Sequence, residues 1–235
     1  MATTGLIYPY YAKYRNTGND VEYYDGGVLG KAISFTPTIE VSEDNDLWAD
    51  NGVVESDGEF IGGTIEVSTD DLSQKVSAAI LGLTPTEITV GSETVSELRY
   101  NDDLHVPYLG FGTIFTKRRT TNGIRRTFFR AVVLTKIMFN IPAHAATTRA
   151  GAIEWQVPTL TARVFRDDTE KHDWQREAEI DTETLARAYV KQLLNITTED
   201  DVDGGVQGVA AYSAPTITDS GIYIPGGHHG EAGDE

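Results

Sequence analysis

The chain contains no cysteine among its 235 residues. This absence excludes disulfide frameworks, cysteine-based zinc sites and thiol catalysis. No stretch approaches 18 consecutive apolar residues, so we expect no membrane-spanning helix. The first residues also lack the basic start and continuous apolar run of a signal peptide. Together these absences favour synthesis in a cytosol.

Basic residues are scarce as well, with 19 Lys and Arg against 36 Asp and Glu and a net charge of −17. A chain with this balance is a poor candidate for binding nucleic acid by neutralising phosphates. Its apolar content is sufficient for a core, since 40% of the residues are hydrophobic, and 11 Tyr and 8 Phe are among them. We therefore expect a packed domain and not a chain that is disordered throughout.

Catalytic and metal-binding motifs are also missing. The chain lacks a phosphate-binding P-loop, an H-E-x-x-H zinc motif and a G-x-S-x-G nucleophile elbow. Gly110-Phe111-Gly112 and Gly26-Gly27 are interpreted as turn glycines. The five histidines are scattered, and the acidic run at 200–204 lacks the spacing of a calcium loop. We predict a protein that is not an enzyme and that uses no cofactor or metal.

Strand patterns dominate what is present. Residues 28–41 predict an edge or bulged strand, and residues 60–68 predict a half-buried strand. The clearest hairpin runs from Phe111 to Phe139 around Asn122-Gly123, a dipeptide typical of type I′ turns. Its return arm exceeds a typical strand, so it either bends and serves two sheets or projects from the body. A further strand pair is predicted within 151–165.

The remaining patterns predict two helices and a change of character near the C-terminus. One helix covers 70–82, opened by acidic residues and closed by glycine, and the other covers about 181–195. Such short helices must dock on the sheets to be stable. We predict a mainly β domain over 1–198, with a helix-containing extension at 166–198. Residues 199–235 predict an acidic linker, a C-terminal arm and a flexible tail.

Charge is segregated along the chain. Residues 32–74 contain 11 acidic residues and no Lys or Arg, whereas residues 104–153 contain 8 basic residues and no Asp or Glu. One interpretation is two solvated surfaces of opposite sign. Another is a subunit that joins head to tail, because complementary but different surfaces form rings or filaments. Nucleic-acid binding by the basic segment is a third interpretation, which the acidic remainder disfavours.

Residues 42–62 form a long polar segment rich in Asp and Gly that carries Trp48. Long loops without their own structure are usually functional or disordered, and Trp is a favoured interface residue. The alternative is that Trp48 folds back on its own domain. The candidate contact residues of the two charged segments are Glu43, Asp44, Asp46, Leu47, Trp48, Asp50, Arg118, Arg119, Arg125 and Arg126.

A spaced set of segments over about residues 5–162 resembles the major tail tube proteins of long-tailed, non-contractile (siphovirus-type) bacteriophages. No segment is a specific motif alone, and the resemblance lies in their order and spacing. The segments are GLIYPYYAKY, GVLGKAI, LWADNGVVESD, GGTIEVSTDDLSQKVSAAILG, VPYLGFGTI, FFRAVVLTKIMFNIP and TTRAGAIEWQVPTLTA.

The resemblance implies a β-sandwich or barrel with a flanking α-helix and a long stacking loop, to which this chain adds a second, C-terminal helix. It implies hexameric rings stacked around a tape-measure protein, with tail terminator and baseplate or distal tail proteins as further partners. DNA would pass transiently through an acidic lumen in the virion. Residues 42–62 would match the stacking loop, 70–82 the flanking helix, and 111–139 the tube wall, with its basic residues at subunit contacts or outside.

A second hypothesis is a phage baseplate or carbohydrate-binding β-sandwich, monomeric or oligomeric. The segment YPYYAKY, residues 8–14, would then be an aromatic sugar platform. Tyrosines in such a segment are more often core or interface residues. A hydrolase, the third hypothesis, lacks an identifiable site.

Overall fold

The protein is described by a computed structural model, which covers residues 2–18, 20–42, 47–49, 52–55, 58–121, 123–143 and 157–197, and the short strands 217–218 and 221–222. The chain forms two compact units, Met1–Asp203 and Gly204–Glu235. Within the described residues the elements are β1 (Ala2–Asn16), β2 (Val21–Val28), β3 (Ala32–Val41), β4 (Leu47–Ala49), β5 (Gly52–Glu55), β6 (Phe60–Thr69), α1 (Gln74–Leu81), β7 (Thr86–Val90), β8 (Glu93–Glu97), β9 (Leu109–Thr121), β10 (Ile124–Phe139), β11 (Thr159–Phe165), β12 (Gln175–Ile180), α2 (Glu183–Leu193), β13 (Ile217–Thr218) and β14 (Gly221–Ile222).

The first unit is built on one antiparallel sheet with the strand order β2-β1-β9-β10-β11-β6-β3. The 16-residue strand β10 pairs with β9 along one edge. On its other edge it pairs first with β12, over Phe129–Leu134, and then with β11, over Lys136–Phe139. The long return arm predicted from the sequence therefore has two successive partner strands, which belong to one sheet. The second unit contributes the pair β13–β14.

The sheet curls so that its two halves face each other across a core. The Phe35 ring of the edge strand β3 stacks on the Phe111 ring of β9 with 5.5 Å between centroids. Ile80 and Leu81 of α1 are fully buried in the same core. The result is the predicted mainly β, sandwich-like fold with a flanking helix. Its buried members are Tyr11, Leu29, Ile65, Val67, Ile80, Leu81, Leu109, Phe111, Leu134, Ile137, Phe139, Leu160, Ala162 and Val164.

The second helix, α2, covers the opposite face of β1, β9 and β10. Ala186, Val190 and Leu194 are fully buried there. The interpretation of Gly110 and Gly112 as turn residues is wrong, since both lie inside β9. Because they lack a Cβ, they leave space for Val190 and Leu194 of the α2 region. Gly26 and Gly27 likewise lie inside β2.

The predicted helix boundaries need one correction. The first helix begins at Gln74, with the Ser73 hydroxyl accepting from the Val76 amide, and not at Asp70. The Asp70 carboxylate instead accepts from the backbone amides of Lys31 and Asp71, which fixes a tight turn. A side chain committed to such a turn competes with helix formation. The second helix lies within the predicted 181–195.

The strand predictions are partly confirmed. Residues 28–41 do not form one strand, because the chain breaks between β2 and β3 at Gly30, where a Cβ would lie 2.7 Å from the Asp71 carbonyl oxygen. The part from Ala32 is an edge strand with two register shifts, as expected. The predicted strand at 60–68 is β6.

The predicted long loop is shorter than 42–62 and has structure of its own. Its last residues, 60–62, begin β6, and β4 pairs with β5 inside it. In the predicted strand pair at 151–165, residues 159–165 form β11, and 151–156 lie outside the described residues. Most of the predicted linker, arm and tail at 199–235 also lies outside them.

Candidate assembly surfaces

The first candidate surface is the end of the β9–β10 hairpin, residues 117–126, which we call the basic tip. It carries five Lys and Arg and no acidic residue. The pairing of β1 with β9 ends at Arg118, and that of β12 with β10 starts at Phe129. Beyond these points the described parts of the two strands pair only with each other. The pairing with the neighbouring strands β1 and β12 thus stops before the end of the basic tip, which extends beyond both of them.

Positive charges face each other on this tip. Arg119 and Arg126 are directly opposite in the register of β9 and β10, an arrangement that destabilises a strand pair. The Arg119 guanidinium lies 5.2 Å from the centre of the Phe128 ring, which stabilises a cation. Among the described residues, Arg118, Arg125 and Arg126 form no ion pair, and all three are exposed. Glu179 and Asp181 line the same cavity as Arg119 and Arg126, so the subunit itself brings carboxylates near part of this charge. An acidic surface from outside would offset the rest.

The second candidate surface is the connection between β3 and β6, residues 42–59, which we call the acidic arm. Ser42 anchors its base, because its amide donates to the Glu59 carbonyl and its hydroxyl accepts from the Glu59 amide. Within the arm, Trp48 lies opposite Val53 in the β4–β5 register. The predicted contact residues Glu43, Asp44, Asp46 and Asp50 lie outside the described residues, and Leu47 and Trp48 are described by their backbone alone. Their role at an interface stays a prediction.

The basic tip and the acidic arm leave the sheet in the same direction. Each successive pair in the series β9-β10-β11-β6-β3 is antiparallel. Strand β3 therefore runs the same way as β9. The arm follows the C-terminal end of β3 and the tip follows that of β9, so both begin at the same end of the sheet.

A third surface, which we did not predict from the sequence, is the β7–β8 hairpin at residues 86–97. Its strands pair with each other, and Gly91 takes a φ of 66° in the turn. The Gln74 side chain ties it to α1 by donating to the Ser96 carbonyl. Val90 and Val95 are 57% and 46% exposed. The sequence does contain a signal for this hairpin, which is the alternating pattern before a glycine in Thr86-Glu87-Ile88-Thr89-Val90.

A half-buried polar cluster joins the 166–173 segment to the sheet. Lys136 Nζ and Tyr14 OH each lie 2.7 Å from Asp168 Oδ2 and donate to it. These hydrogen bonds, from Lys136 first, lower the pKa of the Asp168 carboxyl. Burial, followed by the bond to Asp168, raises the pKa of Tyr14 well above 10.0. The cluster holds a loop against β1 and β10 and presents no free nucleophile.

The tyrosines of YPYYAKY do not form a surface platform. Tyr10, Tyr11 and Tyr14 are 0%, 6% and 8% exposed, so the sugar-platform interpretation of this segment is wrong. Tyr11 packs in the core between the sheet halves and Tyr10 packs under α2. Their alternation follows from the period of two in a strand.

Within the described residues, no group of three or more His, Asp or Glu is arranged to hold a metal ion. The helices that the structure describes are too short or too polar to span a bilayer. A scan against protein-family models finds no match, and neither does a search of the curated proteins. The fold and its surfaces define a mainly β protein with charged hairpin extensions.

Proposed function

We propose that this chain is a self-assembling structural subunit of a phage tail tube and not an enzyme. Copies would form hexameric rings that stack around the tape-measure protein, with the tail terminator and baseplate or distal tail proteins at the two ends. The subunit would be made in the cytoplasm of the bacterial host and end up in the virion. The resemblance described above is the source of these particulars, and the curled sheet with its flanking helix agrees with the fold that it implies.

The basic tip is the observation that carries self-assembly. A chain of net charge −17 concentrates five of its 19 basic residues in ten positions. It also places Arg119 opposite Arg126 in the β9–β10 register, so that two like charges are neighbours on the tip. An acidic surface on a second copy would supply the counter-charge for this tip. Complementary patches of this kind fix the register and orientation of the two copies. Contacts between different surfaces then propagate into rings or filaments.

The acidic remainder suits the passage of DNA. Like charges repel a polyanion, and the repulsion acts within a Debye length of about 10 Å at 0.1 M salt. A lumen lined by carboxylates would let DNA move without adhering. We therefore expect transient passage of double-stranded DNA and no specific binding to it.

The first prediction is that Arg125→Glu with Arg126→Glu prevents or weakens assembly. The fold should survive, because the Arg126–Arg119 pair becomes an attractive one. Wild-type protein should form rings or tubes in negative-stain images at low salt, where electrostatic attraction is strongest. The double variant should stay monomeric in light scattering, with a thermal midpoint no lower than that of the wild-type monomer.

The matched control reverses Arg163 and Lys171 to Glu. Both side chains are exposed and lie away from the tip, and the net charge changes by the same amount. This control should assemble like the wild type. An unchanged tube yield of the tip variant at low salt would falsify the proposed contact. Wild-type protein that stays monomeric even with its tape-measure protein would contradict the tube proposal itself.

A further inference from the structure

The β7–β8 hairpin is a poorly supported element in an isolated subunit. It forms a separate two-stranded sheet that pairs with no other described strand. Two-stranded hairpins are marginally stable in water without packing on one face. Both faces here are largely exposed, including Val90 and Val95. The pattern indicates a hairpin whose packing partner is another chain.

The hairpin is also strongly acidic. Residues 84–103 contain five Asp and Glu and a single basic residue, Arg99. Arg99 pairs with Glu97. Glu87 and Glu93 form no ion pair with any described residue, and both are exposed. Its charge is thus opposite to that of the basic tip.

The acidic hairpin and the basic tip lie at opposite ends of one strand. The segment that contains the hairpin leaves the body after Gly82 and returns at His105, and these two residues are in close contact at its base. Strand β9 begins four residues later, at Leu109. The tip is reached where β9 ends at Thr121. The 13 residues of β9 span about 40 Å at roughly 3.3 Å per residue. The length of β9 therefore separates the bases of the two elements within one copy.

We propose that the β7–β8 hairpin of one copy docks on the basic tip of the next copy. Placed end to end along β9, successive copies bring Glu87 and Glu93 toward Arg125 and Arg126. The exposed valines of the hairpin then have an apolar counterpart in Ile124, which is 61% exposed on the tip. Because the acidic arm begins at the same end of the sheet as the tip, we take the hairpin as the acidic element that meets the tip head to tail.

This inference deepens the proposed function and rests on it, so the experiment separates the two. The first arm is a charge exchange. Glu87→Lys with Glu93→Lys should reduce assembly at least tenfold, as should Arg125→Glu with Arg126→Glu. The chain that carries all four changes should recover assembly, because the exchanged charges again face their opposites.

The second arm uses the absence of cysteine. Thr94→Cys in β8 and Thr120→Cys at the tip are prepared as two separate chains and mixed. They should give crosslinked dimers with a bismaleimide during assembly. Thr94→Cys mixed with Glu170→Cys, an exposed position elsewhere, is the control and should give few. Each single variant must assemble like the wild type.

The outcomes divide as follows. If Glu87→Lys with Glu93→Lys leaves assembly at the wild-type level and the crosslink does not exceed that of the control, the docking proposal is overturned. The tube proposal is then unaffected. Loss by the hairpin exchange, rescue by the fourfold variant and selective crosslinking support it. A wild-type chain that never assembles overturns the proposed function and the docking together.

Discussion

Gly110 and Gly112 lie in β9 directly beneath α2. A Cβ on Gly112 would lie 2.4 Å from Val190 Cγ1, and one on Gly110 would lie 2.6 Å from Leu194 Cδ2. Real side-chain atoms do not approach so closely, so a larger residue would force the helix side chains Val190 and Leu194 to shift. The two glycines thus set the distance between α2 and the strand that leads to the basic tip.

We predict that Gly112→Ala lowers the free energy of unfolding by about 1–3 kcal/mol through overpacking. Gly5→Ala in β1 is the control, because its Cβ would meet Thr116 at an ordinary 3.5 Å. Urea unfolding measures both. Combining Gly112→Ala with Val190→Ala should cost less than the sum of the separate changes, and strict additivity would speak against the contact.

At the scale of elements, α1 is capped at both ends, and the β7–β8 hairpin follows it in the chain. The C-cap residue of α1, Gly82, has a φ of 71°, and the Gly82 amide donates to the Ala78 carbonyl. A Cβ there would lie 3.0 Å from the His105 carbonyl oxygen. This close approach brings the two ends of the hairpin's base together, so the cap of α1 also determines where the acidic hairpin leaves the body.

We expect Gly82→Ala to cost more stability than Gly91→Ala. Both glycines have positive φ, which costs roughly 1–2 kcal/mol for other residues, but a Cβ on Gly91 would have nothing within 4 Å. The difference in thermal midpoint between the two variants isolates the contact with His105. Equal midpoints would show that the conformational strain alone matters.

At the scale of the whole molecule, a set of buried tyrosines links the sheet to its helices and loops. Burial raises the pKa values of Tyr10, Tyr11, Tyr14 and Tyr23 above their ordinary 10.0. Tyr23 also donates to the Thr135 carbonyl at 2.7 Å. A raised pKa stabilises the fold fully below the ordinary value, and this contribution is lost as the pH rises, because the unfolded chain ionises first.

The thermal midpoint should therefore be insensitive to tyrosine ionisation up to about pH 10 and fall above it. Tyr23→Phe should be less stable near pH 8, because the Thr135 carbonyl loses its partner. Its midpoint should then fall less steeply above pH 10 than that of the wild type. Thermal unfolding at a series of pH values measures this, and parallel curves for the two proteins would refute the assignment to Tyr23.

Much of the sheet could be predicted from local pattern. The predicted position of the hairpin's reversal is confirmed by the register, in which Thr121 pairs with Ile124, and by the positive φ of Gly123. It was predictable because two-residue turns have strict conformational needs. Residues 60–68 and the helix at 181–195 were likewise readable from their periodicity. The N-terminal strand β1 and the strand β12 were missed, because a register bulge in β1 and a polar, half-exposed pattern in β12 conceal the period of two.

By itself the sequence determined the mainly β class, the basic hairpin and the separation of charge, since these depend on composition and on neighbours along the chain. Only the tertiary structure decided that α2 packs on Gly110 and Gly112, that Tyr10 and Tyr11 are core residues, and that the arm and the tip begin at the same end of the sheet. These properties depend on which strands pair, and pairing joins residues that lie far apart in the chain. No local pattern encodes that geometry.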